Sequence, residues 1–208
     1  MSLRIPRVYP ITDTRLSGLS HAEQVRRLIE GGATLIQLRD KHAAPREFYL
    51  EAKAALEVAR DHNARLIIND RVDMALGLKA DGVHLGQSDM PANAARRLLG
   101  SSAIIGLSTH NLTQAALAAE MPVDYIAFGP IFKTGTKKDP DLLTGLEGLR
   151  SVRRLIDMPL VAIGGITLTN ATRVFQAGAD AVATIAGAVG DPTRISEKMC
   201  QMLAEAPV

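Results

Sequence analysis

The 208-residue sequence predicts an α/β fold, a (β/α)8 TIM barrel that forms a single domain over residues 1–208. Short apolar runs alternate eight times with longer segments whose apolar residues recur at helical spacing. The runs are nearly continuous, which is typical of parallel strands buried on both faces. The composition does not break along the chain, and about 200 residues suffice for one barrel. An open, doubly wound sheet is the alternative, but it rarely has eight even repeats.

Each predicted strand is a short apolar run that ends at polar residues or at glycine. The first run contains Pro10, which is atypical of a central strand because proline has no backbone N–H for the ladder. In chain order, the strands are predicted at 8–12, 35–39, 66–68, 82–85, 103–107, 125–128, 160–163 and 181–184.

The segments between these runs carry the apolar stripes of amphipathic helices. Ser20 and Glu23 have the spacing of a capping box at the start of the first helix, which two glycines end at 31–32. Pro45 and Pro91 each open a later helix. Helices are predicted from 45 to about 60, through 74–78, from 91, over 113–120, through 149–156 and through 195–203.

Composition argues against several classes of protein. The net charge of +2, without a run of basic residues, argues against nucleic-acid binding by bulk charge, and 3% aromatic residues supply no stacking platform. Cys200 has no partner for a disulfide, and we expect it to pack within the last helix. No apolar run reaches the roughly 18 residues of a membrane span, and residues 1–7 lack a signal-peptide core. We therefore expect a cytoplasmic protein that binds neither nucleic acid nor membrane and that could form a homo-oligomer.

Polar and glycine-rich clusters follow most of the predicted strands. In a (β/α)8 barrel, functional residues lie just beyond the C-terminal ends of the strands, where all eight loops meet. We therefore expect these clusters to share one site. They comprise Thr12–Asp13, Gln37, Arg39, Lys41, Asn69–Asp70, Gln87, Asp89, Ser108, His110, Thr134, Thr136, Lys137 and Gly164–Gly165.

Gln37, Arg39 and Lys41 alternate at the end of the second predicted strand, so their side chains should point to one side. Two cations and an amide that converge in this way indicate an anionic ligand, most simply a phosphate. The alternative is that Arg39 and Asp40 are ordinary surface charges paired at a strand end.

Asp70 and Asp89 follow successive strands, so their carboxylates should lie within reach of one ion. Carboxylates near phosphates suit Mg²⁺, which completes its shell with phosphate oxygens and water. Each aspartate could instead cap the helix that follows it. Zinc is disfavoured because His84 and His110 have neither a thiolate nor further histidines at ligand spacing.

Gly164–Gly165 and Gly187 follow the last two predicted strands, the position of a common phosphate site in such barrels. Simple tight turns are the alternative. Ser108 and His110 lie two residues apart on one strand end, which is weak evidence for a hydrolase triad. The residues thus indicate one site for a diphosphate with Mg²⁺ and a second for a monophosphate, which suggests that a leaving group is stabilised.

An ordered set of motifs resembles the thiamine phosphate synthase family over almost the whole chain. The motifs are YPITD at 9–13, QLRDK at 37–41, INDR at 68–71, GVHLGQSD at 82–89, GLSTH at 106–110, GPIF at 129–132, TGTK at 134–137 and GLE at 145–147. The resemblance implies a transferase that joins hydroxymethylpyrimidine diphosphate to a thiazole phosphate, giving thiamine phosphate and pyrophosphate through dissociative loss of pyrophosphate.

The resemblance also implies a role for each matching residue. Arg39, Lys41, Ser108 and Lys137 would be catalytic, and Asp70 and Asp89 would ligate Mg²⁺. Substrates would be bound by Gln37 and Ser108 at the pyrimidine, by Arg39, Lys41, Asn69 and Lys137 at the diphosphate, and by Thr134, Thr136, Gly165, Ile185 and Ala186 at the thiazole phosphate.

Two positions depart from the family pattern. Ala186 stands where the family often has serine, so we expect a higher KM for the thiazole phosphate. Lys133 replaces a frequent proline and could add a phosphate contact. The polar loop from about 133 to 143 is expected to close over the reactants and exclude water.

Two other functions are compatible with the fold. A thiazole tautomerase of the same superfamily would use His110 as acid and base, but it would have no reason to keep the diphosphate residues together. A non-catalytic barrel that senses thiamine precursors would not need the aspartate pair.

Overall fold

Eight parallel strands form the centre of the structure, a computed structural model that describes residues 4–135 and 142–206. The hydrogen-bonded order is β1-β8-β7-β6-β5-β4-β3-β2, and an isolated bridge between Ile11 and Gln37 joins β1 to β2. The predicted (β/α)8 barrel is thereby confirmed. The strands are β1 (Val8–Pro10), β2 (Leu35–Leu38), β3 (Arg65–Asn69), β4 (Gly82–Leu85), β5 (Ile104–Thr109), β6 (Tyr125–Phe128), β7 (Leu160–Ile163) and β8 (Ala181–Thr184).

Helices follow the strands and pack around them. Ser20 caps the second helix by accepting a hydrogen bond from the Glu23 N–H, as its spacing predicts. The helices are α1 (Thr14–Ser17), α2 (His21–Glu30), α3 (Pro45–Asp61), α4 (Val72–Leu78), α5 (Ala92–Leu99), α6 (Leu112–Ala119), α7 (Gly145–Leu155), α8 (Leu168–Gln176), α9 (Ala186–Val189) and α10 (Ile195–Glu205). None of the helices in the described part of the chain is long and apolar enough to cross a membrane.

Pro10 lies within β1 despite its missing N–H. Backbone nitrogens along this segment alternate between its neighbours, since Ile11 donates to Thr184 in β8 and Thr12 donates to Gln37 in β2. The nitrogen of Pro10 therefore faces β2, where β1 is joined only by the single bridge. Proline is tolerated there because no ladder hydrogen bond is lost.

The fifth strand is longer than the sequence predicts. It runs over Ile104–Thr109 instead of 103–107, because Ser108 and Thr109 pair with Ala127 and Phe128 in β6. The prediction that Ser108 follows the strand is therefore wrong. The residue is held by the sheet itself, which fixes its position more firmly than a loop would.

The buried side chains form two layers because successive strand residues point to opposite sides of the sheet. One layer fills the barrel interior and includes Tyr9, Ile67 and Tyr125. The other lies between the sheet and the helices. Cys200 belongs to neither layer, since it is exposed on α10, where Met199 and Met202 face the core instead. The expectation that Cys200 packs is therefore wrong.

Gly106 in β5 faces the ring of Tyr125, and a Cβ atom there would lie 2.1 Å from the ring carbon that carries the hydroxyl. We expect Gly106→Ala to lower the free energy of unfolding by about 1–3 kcal/mol, because the buried ring must shift. Urea denaturation followed by circular dichroism measures this change.

Gly77→Ala is the matched control, because Gly77 is exposed on α4 and a Cβ there would meet only Tyr49, at 4.0 Å. It should leave stability unchanged or raise it slightly. Equal stabilities for Gly106→Ala and the wild type would show that the interior accommodates the extra methyl group.

Candidate active site

A cavity of about 610 Å³ opens at the C-terminal ends of the strands. It brings together every described residue to which the resemblance assigns a role, whereas Thr12, Asp13 and Lys133 do not line it. Thr136 and Lys137, and most of the loop expected to close over the reactants, fall in 136–141, outside the described residues. The predicted residues that line the cavity are Gln37, Arg39, Lys41, Asn69, Asp70, Asp89, Ser108, Thr134, Gly165, Ile185 and Ala186.

Arg39 and Lys41, the two basic residues that follow β2, lie beside carboxylates. Lys41 pairs through its Nζ with Asp70, and the Arg39 Nη1 lies 3.7 Å from an oxygen of Asp13. The Lys41 side chain is about half exposed, at 48%, so it can move toward a bound ligand. Asp13 itself is held as the N-cap of α1. The carboxylates of Asp13 and Asp70 thus partly balance the charges of Arg39 and Lys41, and both basic side chains line the cavity.

Asp70 and Asp89 lie close to each other in this cavity. Burial raises the pKa of Asp89 above its usual range, and the nearby Asp70 carboxyl raises this pKa further, whereas the Gly86 N–H lowers it by donating a hydrogen bond of 2.7 Å. Neither aspartate caps a helix, because Arg71 and Pro91 occupy the cap positions of α4 and α5 without a side-chain bond. The capping alternative is therefore wrong for both residues.

The backbone of Asp70 is held in an uncommon conformation. Its φ of +63° lies in the left-handed region, which aspartate and asparagine tolerate better than most residues. Its N–H donates a hydrogen bond of 2.8 Å to the carbonyl of His84 in β4. This bond ties the loop after β3 to the next strand and brings Asp70 toward the loop that carries Asp89.

The two carboxylates fit a magnesium ion by their chemistry. Both are hard oxygen donors in a cavity that also holds cations for an anionic ligand. Within residues 4–135 and 142–206, no cluster of three or more His, Cys, Asp or Glu side chains could hold a metal. An ion held by the pair would therefore take its other ligands from phosphate oxygens and water.

A chain of hydrogen bonds crosses the barrel interior below the cavity. The Gln37 Nε2 donates to the Tyr9 hydroxyl at 3.2 Å, and this hydroxyl lies 3.0 Å from that of Tyr125. The Tyr125 hydroxyl lies 2.8 Å from the Nδ1 of His84, whose Nε2 lies 2.8 Å from the Ser108 hydroxyl. Burial lowers the pKa of His84 to about 4, so its ring is neutral at pH 7.

Tyr9, Tyr125 and His84 are partners of the site that the sequence does not predict. Tyr9 and His84 belong to the motifs at 9–13 and 82–89, but neither motif assigns them a role, and Tyr125 stands in an apolar run. Strand alternation does place each of them on one face of its strand. Which faces meet across the barrel, however, depends on the register of distant strands, which the sequence alone does not reveal.

The loops after β6 and β7 pack tightly against each other at the far side of the cavity. Gly165 has a φ of +61°, and a Cβ atom there would lie 2.5 Å from the Lys133 carbonyl oxygen. Glycine is therefore required by this close approach as well as by the turn. The Lys133 side chain is exposed and is not among the residues that line the cavity. A phosphate contact by Lys133 stays a prediction.

Comparison with known proteins agrees with this geometry. A family model described as thiamine monophosphate synthase matches residues 8–188. The chain belongs to the thiamine monophosphate synthase family. The match includes the strands and loops that build the cavity, and the resemblance predicted from the ordered motifs is thereby confirmed.

Members of this family with assigned activity are similar over most of the chain. The thiamine-phosphate synthase of Chloroflexus aurantiacus is 47% identical over 184 residues, which are 88% of this chain and 85% of that protein. That of Albidiferax ferrireducens is 45% identical over 204 residues, 97% of this chain and 93% of that protein.

A solved structure from the family agrees in fold as well. The thiamine phosphate pyrophosphorylase from Pyrococcus furiosus superposes with a TM-score of 0.85 at 38% identity, over 97% of each chain. The chain is accordingly an enzyme, a transferase of thiamine biosynthesis, as the sequence predicts, and a non-catalytic sensor is excluded. The roles of individual site residues stay predictions.

The role of Lys41 in the cavity can be tested by substitution. Lys41→Met should weaken the binding of inorganic pyrophosphate in the presence of Mg²⁺ by about 10- to 100-fold, because a charge-assisted hydrogen bond is lost. Isothermal titration calorimetry measures the dissociation constant. Lys53→Met is the matched control, because Lys53 is exposed on α3 and does not line the cavity. Equal weakening by both variants would mean that only overall charge matters.

Proposed function

We propose that the chain joins hydroxymethylpyrimidine diphosphate to a thiazole phosphate, giving thiamine phosphate and pyrophosphate by Mg²⁺-assisted dissociative loss of pyrophosphate. The observation that carries the proposal is one cavity in which Arg39 and Lys41 lie beside the paired aspartates 70 and 89. That combination suits a magnesium diphosphate better than a simple phosphate.

The proposed reaction breaks one bond and forms one. The bond between the methylene carbon and the diphosphate oxygen breaks, and both electrons leave with pyrophosphate. The resulting cation is delocalised into the aminopyrimidine ring, and the thiazole nitrogen captures it with its lone pair. No protein nucleophile or general base is required, which agrees with the weak basicity of His84 beside Ser108, whose pKa burial lowers to about 4.

The chain's own residues would act by holding and neutralising the reactants. Arg39, Lys41 and Asn69 would bind the diphosphate, and their charge would stabilise the leaving group as it departs. Asp70 and Asp89 would hold Mg²⁺, which supplies further neutralisation of the diphosphate when bound. Gln37 and Ser108 would contact the pyrimidine, and Thr134, Gly165, Ile185 and Ala186 would contact the thiazole phosphate.

The geometry also argues against the other enzyme considered from the sequence, the thiazole tautomerase, which is an isomerase. It needs no diphosphate and would leave the paired aspartates beside Lys41 without a purpose. His110, its candidate acid and base, has its Nδ1 2.8 Å from the Gly129 carbonyl oxygen, so one ring nitrogen is already used by the backbone. The names of the similar enzymes also favour the synthase.

The metal role is tested by Asp70→Asn, which removes charge and keeps a residue that tolerates the left-handed backbone. Formation of thiamine phosphate from both substrates should fall by about 10²–10³-fold, because an electrostatic contact with the departing group is lost. Excess EDTA should stop the wild-type reaction, and added Mg²⁺ should restore it.

Asp73→Asn serves as the matched control for Asp70→Asn. Asp73 is exposed on α4 and pairs with Arg71 at 2.6 Å, outside the cavity. The Asp73→Asn variant should be as active as the wild type. Full wild-type turnover in EDTA, or near-normal rates for Asp70→Asn, would remove the metal from the proposal.

Ala186 generates a prediction about the second substrate. Ala186→Ser adds a hydroxyl at the cavity wall, so we expect the KM for the thiazole phosphate to fall by about three- to tenfold through one added hydrogen bond. The KM for the pyrimidine diphosphate, measured in the same assays, should not change. If only the KM for the pyrimidine diphosphate changed, the thiazole phosphate would not bind beside Ala186.

A further inference from the structure

The interior hydrogen-bond chain has one end on each of two cavity residues. Gln37 and Ser108 line the cavity, and Tyr9, Tyr125 and His84 connect them through the barrel. The three connecting residues are at most 6% exposed. Water therefore does not compete for these hydrogen bonds, and each connecting group depends on its neighbours in the chain for its partners.

Each tyrosine hydroxyl of the chain has one hydrogen to give. Burial raises the pKa of both tyrosines above the usual range, so their hydroxyls stay protonated. Within the described residues, the Tyr9 hydroxyl bonds only to Gln37 and Tyr125. Because Gln37 donates to it, its own hydrogen must go to Tyr125.

The remaining links follow from this first one. Tyr125 has accepted from Tyr9, so it donates to the Nδ1 of His84, and the proton of the ring is then on Nε2. That N–H donates to the Ser108 hydroxyl oxygen, which leaves the serine hydrogen for a ligand. At the other end, the amide oxygen of Gln37 is left to accept. The hydrogen-bond chain therefore offers a ligand an acceptor at Gln37 and a donor at Ser108.

The aromatic packing holds the rings, and with them the oxygen and nitrogen atoms of the hydrogen-bond chain, in place. The rings of Tyr9 and Tyr125 meet edge to face with centroids 5.9 Å apart, and the His84 ring stacks on Tyr125 at 5.5 Å. Gly106 leaves the space that the Tyr125 hydroxyl occupies. Reversal would require the Gln37 amide to rotate and every link to turn together, so the two ends always differ in polarity.

We propose that Tyr9, Tyr125 and His84 are positioning residues that fix Gln37 as an acceptor and Ser108 as a donor, and thereby select an aminopyrimidine over its oxo counterpart. The proposal rests on the proposed function. An aminopyrimidine offers an amino hydrogen and a ring nitrogen lone pair, which match these ends. The oxo form offers a carbonyl oxygen and a ring N–H. An acceptor would then face the Gln37 oxygen, and a donor would face the Ser108 hydroxyl hydrogen.

Tyr125→Phe tests the proposal, because it removes the central hydroxyl and keeps the ring. The measurement is kcat/KM for the 4-amino and 4-oxo pyrimidine diphosphates at saturating thiazole phosphate, compared as a ratio. The wild type should prefer the amino substrate by about 10²-fold or more, and the variant's preference should fall about tenfold. Partial unfolding cancels in this ratio, and intrinsic substrate reactivity is the same for both enzymes.

Tyr9→Phe cuts the chain one link nearer to Gln37 and should lower the ratio similarly. It decides the question if Tyr125→Phe does not fold. Tyr49→Phe is the matched control, since Tyr49 lies on α3 with 37% exposure, and it should keep the wild-type ratio. An unchanged ratio in the folded interior variants would overturn the proposal. A wild type that forms no thiamine phosphate would overturn the proposed function instead.

Discussion

Closure of the barrel between β1 and β2 is the constraint on which the rest of the structure depends. Thr12 makes this junction, because its N–H donates to the Gln37 carbonyl and its hydroxyl accepts from the Arg39 N–H at 3.3 Å. The same hydroxyl lies 2.8 Å from the Nδ1 of the buried His21 in α2. One threonine thus joins the first strand, the second strand and a helix at the point where Gln37 and Arg39 enter the cavity.

Electrostatic balance is the second requirement of the cavity. Two carboxylates close together repel each other, and the ammonium of Lys41 beside Asp70 offsets part of that repulsion. Arg39 lies similarly beside Asp13. These pairs lower the electrostatic cost of holding several charges in one cavity, and the basic side chains can still turn toward an anionic ligand. This mixture of signs is also consistent with a net charge of only +2 for the whole chain.

The fold could be predicted from the sequence because buried parallel strands and amphipathic helices differ in period. Four strands, β4, β6, β7 and β8, have the predicted bounds. Most cavity residues could also be predicted, since position after a strand determines the end of the barrel. The extension of β5 through Ser108 could not, because polar residues at a strand end give no apolar signal. The interior chain from Gln37 to Ser108 also escaped prediction, because it depends on register across the barrel.

The exposed position of Cys200 has a practical consequence. It is the one cysteine of the sequence, it lies on the outer helix α10, and it does not line the cavity. A thiol-reactive dye or a maleimide surface would attach to the protein at this single point. Fluorescent labelling or oriented immobilisation of the native enzyme therefore requires no engineered residue, and it leaves the mouth of the barrel open to its reactants.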